Sequence, residues 1–299
     1  MRLVESVRTM QEWADRERAQ GRRIGFVPTM GYLHEGHLSL VRLARERADS
    51  VVVSIFVNPL QFGANEDFDR YPRDPVGDRR KLEAAGVDVL FFPEASELYP
   101  PGFQTTVEVS EVTRGLCGIS RPTHFRGVTT VVAKLFLAVK PHVAVFGAKD
   151  FQQLVTVKQM VRDLNFDVEI IAGPIVREAD GLAMSSRNAY LTPEERQAAR
   201  VIPESLAEAR RAFAAGESSA ERLREIVIRR LSAEPRARVD YVEVVDAETL
   251  QPVTAIERAA LLAIAAFFGR TRLIDNCVLA PSDRALEHNT QECFTEGNV

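Results

Sequence analysis

Short runs of apolar residues alternate with segments of helical periodicity through the first half of the chain. Five runs are short enough for buried strands and rich in β-branched or aromatic residues. Between them, apolar residues recur every three or four positions, as in amphipathic helices. Strands that alternate with helices predict a parallel sheet wrapped by helices on both faces, with ligands bound where the strands end. The predicted strands are 24–28, 51–57, 88–92, 143–147 and 167–172, and the predicted helices are 37–48, 78–86, 128–139 and 151–164.

The pattern changes after about residue 185. Two polar-rich helical segments, 192–216 and 219–231, precede three strand-like runs between 238 and 280 that can pair as a small antiparallel sheet. We therefore predict an α/β protein that has a Rossmann-like doubly wound parallel sheet and a second, smaller α+β C-terminal domain. The predicted boundaries are 1–175 for the Rossmann-like domain, 176–285 for a smaller domain closing over the site, and 286–299 for a polar tail. Residues 1–23 have the spacing of an amphipathic helix.

Composition narrows the class of protein. The 299-residue chain has 27% charged residues and a formal net charge of -4, so it has no broad basic face and we expect no nucleic-acid partner. Its three cysteines, Cys117, Cys277 and Cys293, are far apart, which favours reduced thiols over disulfides or a zinc site. The N-terminus lacks the continuous apolar stretch of a signal peptide, and no later apolar run is long enough to span a membrane. These features predict a cytoplasmic protein with no membrane partner.

The segment PTMGYLHEGH, at 28–37, carries the strongest chemical signal. His34 and His37 flank Gly36 where a strand becomes a helix. Zinc proteases of the HExxH type need histidines four apart, whereas these two are three apart, and the sequence offers no obvious third metal ligand. A metal site is therefore disfavoured. Free backbone N–H groups and the positive end of a helix dipole suit a phosphate instead, and imidazoles near their reference pKa can be cationic. A histidine that only caps the helix would explain one of the pair better than both.

Three further segments could bind a polar ligand. Gln61 follows a buried strand, and the polar residues 63–74 after it form either a lid or a plain connector. Lys149 and Asp150 follow another strand, where lysine suits phosphate and aspartate can cap a helix. The hydroxyls and guanidinium of segment 184–187 suit oxyanions, whereas the arginines in 118–128 are weaker candidates. Each feature alone also has an ordinary structural explanation, and the chain lacks a P-loop, a dinucleotide fingerprint and a GxSxG motif.

Taken together, PTMGYLHEGH, FVNPLQF, FGAKDFQQL and DGLAMSSRN resemble, in order and spacing, the pantothenate synthetase (pantoate–beta-alanine ligase) family over about residues 1–280. The resemblance implies the fold of the HxGH nucleotidyltransferase superfamily and an AMP-forming carbon–nitrogen ligase of pantothenate and coenzyme A biosynthesis. In that reaction, (R)-pantoate and ATP form pantoyl adenylate and pyrophosphate, and β-alanine then displaces AMP. The resemblance also implies Mg²⁺ on the ATP phosphates, no permanently bound cofactor, and a homodimer.

The same resemblance assigns roles residue by residue. It implies that His37, His34 and Lys149 are catalytic, with His37 as the proton donor. Gln61 and Gln153 would bind pantoate, and Gln61 would also face β-alanine. The implied ATP-binding residues are Met30, Gly31, Tyr32, Leu33, His34, Glu35, Gly36, His37, Gly147, Ala148, Lys149, Asp150, Val176, Met184, Ser185, Ser186 and Arg187.

Two other functions are open at this point. A nucleotidyltransferase of the same superfamily would use the same phosphate site on a phosphorylated small molecule. Gln61 and Gln153 argue against it, because a phosphorylated acceptor would call for more arginine and lysine. A non-catalytic nucleotide-binding regulator would bind ATP without turning it over.

Overall fold

The computed structural model describes residues 1–64 and 66–281, and these form two compact units. The first contains Met1–Val176 together with Met184–Ser186, and the second contains Arg177–Ala183 together with the described residues from Arg187 onward. The predicted boundary put Val176 and 184–186 in the smaller domain, whereas both group with the first unit here, and Met184 N–H donates to the Val176 carbonyl over 2.9 Å. The predicted tail, 286–299, lies outside the described residues.

A six-stranded parallel sheet forms the centre of the first unit, which confirms the predicted fold class. The strand order is β1-β4-β3-β2-β5-β6. The order therefore reverses between β2 and β5, and a crevice at the carboxyl ends of strands is expected at such a reversal. The strands are β1 (Arg2–Val4), β2 (Ile24–Thr29), β3 (Ser50–Ile55), β4 (Val89–Phe91), β5 (Val143–Gly147) and β6 (Glu169–Gly173).

Helices pack on the sheet of the first unit and make two hydrophobic cores. Neighbouring residues of one strand enter different cores: Phe26 packs in one and Val27 in the other. This explains why the strands are continuous apolar runs rather than alternating ones. The helices are α1 (Val7–Ala19), α2 (Glu35–Arg47), α3 (Pro75–Ala84), α4 (Ala95–Leu98), α5 (Cys117–Ser120), α6 (His124–Val139) and α7 (Phe151–Asp163), with 3₁₀ turns at Pro59–Gln61 and Ala148–Asp150.

Strand β1 is absent from the sequence prediction, which gave residues 1–23 only a helix. Helix α1 begins at Val7, after an N-cap at Ser6 whose hydroxyl accepts a hydrogen bond from Thr9 N–H. Arg2, Leu3 and Val4, which come before this cap, pair in parallel with β4. Only Val4 of β1 is buried, so the strand is too short to show a periodic pattern.

The second unit contains the predicted antiparallel sheet, in the order β7-β8-β9. Its helices bury their apolar faces against one side of this sheet, where Leu262 and Ile264 of the central strand lie in the core. The predicted helix 192–216 is interrupted at Arg200 because Pro203 has no N–H to donate to the carbonyl four residues earlier. The elements are α8 (Pro193–Ala199), α9 (Val201–Ala214), α10 (Ala220–Ser232), β7 (Ala237–Asp246), β8 (Ala260–Phe268) and β9 (Thr271–Leu279).

Candidate active site

The chain turns sharply after β2, at the reversal point of the sheet. Gly31 and Tyr32 both have positive φ, 84° and 51°. A β-carbon on Gly31 would lie 2.9 Å from Cγ2 of Ile55, so both the backbone conformation and the space favour glycine there. The turn brings the residues of the PTMGYLHEGH motif back over the end of the sheet toward α2.

Asp78, from α3, stabilises this turn by hydrogen bonds to its backbone. The side chain of Asp78 is 2% exposed, and its two carboxylate oxygens accept hydrogen bonds from Tyr32 N–H and Leu33 N–H, each over 2.7 Å. Lys81 Nζ donates to the Leu33 carbonyl over 2.8 Å. Burial raises the pKa of Asp78, while the two backbone donors and Lys81 oppose the shift. Sequence reasoning gave Asp78 no role, since nothing local links a residue of α3 to a turn 45 positions earlier.

The histidine pair opens α2. His34 is the N-cap, and its backbone N–H donates to Nδ1 of His37 over 3.2 Å. The two imidazole rings lie 4.0 Å apart between centroids. A β-carbon on Gly36 would come within 2.9 Å of the His34 ring. A side chain at position 36 would therefore displace the His34 ring from this position.

His37 is a neutral imidazole in this arrangement. Burial lowers its pKa well below the usual value, and the neighbouring His34, Lys149 and Lys81 lower it further. Because Nδ1 accepts the His34 N–H, the ring proton is assigned to Nε2. The lowered pKa disfavours, for His37, the cationic form that the sequence left open for either histidine. Its Nε2–H remains a hydrogen-bond donor.

Two other predicted ATP-binding segments lie beside this motif. Lys149, in the 3₁₀ turn after β5, is close enough to perturb the pKa of His37. Ser186 Oγ donates to the Tyr32 carbonyl over 3.3 Å, and Met184 Cβ lies 3.6 Å from the place of a β-carbon on Gly36. Asp150 precedes α7, but contrary to the predicted cap its side chain makes no capping hydrogen bond. Segments from three distant parts of the chain thus meet at one point of the first unit.

Of the two residues predicted to bind pantoate, Gln61 contacts the PTMGYLHEGH motif, whereas Gln153 is placed only by its position in α7. Gln61 is 8% exposed, and its Nε2 lies 3.1 Å from Sδ of Met30. Gln153 lies half-buried in the first turn of α7. Arg187 belongs to the second unit. All the residue roles implied by the resemblance, those of Gln153 and Arg187 included, stay predictions.

A charged cluster that sequence reasoning rated weakly or missed surrounds the backbone of Gln61. Arg121 forms a two-pronged ion pair with Glu66, with N–O distances of 2.7 and 2.5 Å. Its guanidinium also donates to the Gln61 carbonyl over 3.2 Å, and Nδ1 of His124 lies 2.9 Å from the same oxygen. Burial alone would raise the pKa of Glu66, but Arg121 outweighs it and lowers the pKa. Arg121 thus ties the predicted lid segment to the end of α5.

The stability of the protein should depend on the protonation of His124. Burial lowers the pKa of His124 to about 4. As the pH falls from the unfolded-state value of about 6.5 toward 4, the unfolded chain binds a proton that the folded chain excludes, so stability falls by no more than about 3 kcal/mol. Urea unfolding of wild type and His124→Gln at about pH 7 and about pH 4.5 measures this loss. The variant should lose less stability on acidification than wild type, and equal losses would contradict the assignment.

Among residues 1–64 and 66–281, the structure contains no group of three or more histidine, cysteine, aspartate or glutamate side chains arranged to hold a metal ion. Within the same ranges, no helix combines the length and the apolar character needed to cross a membrane.

Comparison with known proteins decides the family. The sequence profile described as pantoate-beta-alanine ligase matches residues 2–278. The chain belongs to the pantoate–beta-alanine ligase family. The match includes β2, α2, β5 and the 184–187 segment, so the candidate active site lies inside the part of the chain that defines the family.

Relatives in this family are similar over nearly their whole length. The pantothenate synthetase of Heliobacterium modesticaldum is 58% identical over 279 residues, which is 93% of this chain and 99% of the relative. The crystal structure of pantothenate synthetase from Thermus thermophilus is 48% identical with a TM-score of 0.90, covering 94% of this chain and 100% of that one. A pantoate-beta-alanine ligase from Francisella tularensis, described as complexed with beta-gamma ATP and beta-alanine, is 34% identical with a TM-score of 0.76, covering 93% and 97%.

Proposed function

We propose that this protein is an AMP-forming carbon–nitrogen ligase that condenses (R)-pantoate with β-alanine at the expense of ATP. The observation that carries the proposal is the meeting of the His34–His37 motif, Lys149 and segment 184–186 at the reversal point of the sheet. Together these groups supply backbone donors, imidazole N–H groups and an ammonium suited to a triphosphate. Membership of the family and the ligands named for the Francisella tularensis relative support ATP and β-alanine as substrates.

The first step we propose is adenylation of pantoate. A carboxylate oxygen of pantoate attacks the α-phosphorus of ATP, and the bond from that phosphorus to the bridging oxygen of pyrophosphate breaks. Negative charge develops on the transferring phosphoryl group and the leaving pyrophosphate. Lys149, the Nε2–H of His37 and the N-terminus of α2 are fixed before the reaction and stabilise that charge without rearranging.

The proton-donor role that the family resemblance gives His37 depends on ATP. His37 is neutral beside Lys149 and Lys81. A bound triphosphate would bring several negative charges near the ring and raise its pKa, because an anion favours the protonated imidazole. With ATP bound, the Nε2–H of His37 would donate a hydrogen bond to the charge that develops in the transition state.

The second step we propose is aminolysis of the adenylate. The amine of β-alanine attacks the activated carbonyl carbon of pantoyl adenylate, and the bond to the phosphate oxygen breaks to release AMP. The mixed anhydride is already activated, so no protein nucleophile is required. Gln61 and Gln153 are proposed to hold the pantoyl part, since amides can bind hydroxyl and carboxylate oxygens without adding charge.

Mg²⁺ is proposed to accompany ATP and to neutralise charge on its phosphates, as in other phosphoryl and nucleotidyl transfers. No permanently bound cofactor is proposed. By analogy with the family resemblance, the protein is further proposed to be a cytoplasmic homodimer. Light scattering of the purified protein would measure the oligomeric state.

Analysis of products from ATP, Mg²⁺, pantoate and β-alanine, with each omitted in turn, tests the function. AMP and pantothenate should require both organic substrates, and exchange of labelled pyrophosphate into ATP should require pantoate but not β-alanine. Exchange without pantoate would refute the proposal. A nucleotidyltransferase would instead join the nucleotide to a phosphorylated acceptor, and the family match disfavours that alternative. Bound ATP without turnover would indicate a regulator.

A further inference from the structure

A chain of side-chain hydrogen bonds runs from Tyr99 to Gln61, and none of its other members has a role in the proposed mechanism. Tyr99 Oη donates to Oδ1 of Asn58 over 2.8 Å. Asn58 Nδ2 donates to Oε1 of Gln61 over 3.1 Å, and also to the Gly127 carbonyl over 3.0 Å. Asn58 is fully buried. We refer to Tyr99, Asn58 and Gln61 as the Gln61 relay.

Groups with only one possible hydrogen-bonding role determine the orientation of the Asn58 amide. The carbonyl of Gly127 can only accept, so the nitrogen of Asn58 must face it. The backbone N–H of Leu60 can only donate, and it lies 3.3 Å from Oδ1 of Asn58. Both contacts require the same amide orientation. Tyr99 must then donate to Oδ1, and burial, by raising the pKa of Tyr99, keeps its hydroxyl protonated.

The orientation of Asn58 is transmitted to Gln61. The second hydrogen on Asn58 Nδ2 points to Oε1 of Gln61, so that oxygen faces inward. The nitrogen, Nε2, lies on the other side, 3.1 Å from Sδ of Met30 in the proposed ATP-binding segment. Thioether sulfur is a weak acceptor. Nε2 therefore has a hydrogen for a ligand oxygen that is a better acceptor.

Close backbone packing keeps the Gln61 relay in place. A β-carbon on Gly127 would lie 2.3 Å from the Leu60 carbonyl oxygen and 2.7 Å from the Gln61 nitrogen. No real side chain fits at that distance, so α6 can approach the 3₁₀ turn of Gln61 only through glycine. On the far side, Lys134 lies over the Tyr99 ring, 5.9 Å from its centroid. The relay is held at both ends by α6.

We propose that Tyr99 and Asn58 are positioning residues that hold the Gln61 amide with its nitrogen toward the substrate, so that the pantoate subsite offers a hydrogen-bond donor. This rests on the proposed function and specifies the chemistry of the group that Gln61 recognises. That group is an oxygen with a free lone pair, either the carboxylate or a hydroxyl of pantoate. An ammonium cannot accept a hydrogen bond, so the protonated form of the β-alanine amine is not the group that Gln61 holds.

The Tyr99→Phe variant tests the Gln61 relay, because it removes one hydroxyl and keeps the ring beneath Lys134. AMP formation is measured while pantoate and ATP are varied separately. The loss of one hydrogen bond from the relay should raise the KM for pantoate about fivefold to tenfold, with the KM for ATP changed less than about twofold. Tyr241→Phe, which removes a hydroxyl from β7 of the second unit, is the matched control and should leave both constants unchanged.

A double-mutant cycle separates positioning from general loss of structure. If Tyr99 acts through Gln61, then Tyr99→Phe should have no further effect on the KM for pantoate once Gln61 is alanine. Asn58→Asp should weaken pantoate binding further, since it removes the donor to Oε1, and Tyr99→Phe gives the answer if that variant does not fold. Independent, additive effects, or an unchanged KM for pantoate in Tyr99→Phe, would overturn the relay alone. A wild-type protein that forms no AMP with pantoate would overturn the proposed function, and the relay with it.

Discussion

Replacing Lys149 with alanine is expected to slow pantoyl adenylate formation about 10²- to 10³-fold, as the loss of one preorganised donor to a charged transition state typically does. The Lys149 side chain is 19% exposed and lies in the turn directly after β5. Its charge lowers the pKa of His37, so it lies where the three segments proposed to bind the triphosphate meet. Single-turnover formation of pyrophosphate, measured in acid-quenched samples, follows the chemical step itself, free of product release.

Controls for this prediction come from the same helix and the same site. Lys158 is exposed on α7, and Lys158→Ala should leave the single-turnover rate unchanged. His37→Ala should lose a comparable factor to Lys149→Ala, while His37→Gln, whose amide nitrogen can replace the Nε2–H donor, should lose less. Circular dichroism establishes that each variant is folded. A Lys149→Ala rate within about threefold of wild type would remove Lys149 from the charge-stabilising role that such a donor requires.

Asp78→Asn is expected to damage both stability and ATP binding, although Asp78 is placed to touch neither substrate nor reacting atom. The carboxylate accepts two backbone hydrogen bonds while almost fully buried. An asparagine has one acceptor oxygen, so its amide nitrogen would face the N–H of Tyr32 or Leu33. Leaving a buried donor without an acceptor costs about 1–3 kcal/mol.

Two measurements follow from this argument. The free energy of unfolding of Asp78→Asn should fall by about 2 kcal/mol, and the KM for ATP should rise about tenfold because the turn that carries residues 30–37 shifts. Asp167→Asn is the matched control, since the Asp167 carboxylate is fully exposed. A variant with wild-type stability and wild-type KM for ATP would show that the turn holds its shape without Asp78.

The sequence predicted those parts of the fold that depend on local periodicity. Five parallel strands and three antiparallel ones appear near their expected places, because buried strands and amphipathic helices each repeat within a few residues. Strand β1 was missed because three residues are too few to show a period. The break at Arg200 was missed although Pro203 is visible in the sequence, because the apolar pattern continues across it.

Residues of the candidate site likewise fall into those that local motifs predicted and those that they did not. His34, His37, Gln61 and Lys149 were identified since each lies within a short motif at the end of a strand. Asp78, Asn58 and Tyr99 were not, because their importance depends on contacts between positions that are distant in sequence, as with the 41 positions between Tyr99 and Asn58. The neutral state of His37 likewise depends on burial and on Lys149, neither of which a motif reveals.

The pairing of β2 with β5 has a consequence for how the protein folds. The loops that follow these adjacent strands flank the proposed phosphate site. The backbone hydrogen bond from His142 N–H to the Ile24 carbonyl, beside this pairing, nevertheless spans 118 positions. Closing so long a segment costs chain entropy that local helices do not incur, so such contacts form late and slowly. A chain that ends before β5 contains β2 and α2 but lacks Lys149, so only part of the proposed nucleotide site can form. Recovery of ATP binding during refolding therefore reports completion of the central sheet, whereas recovery of helical signal does not.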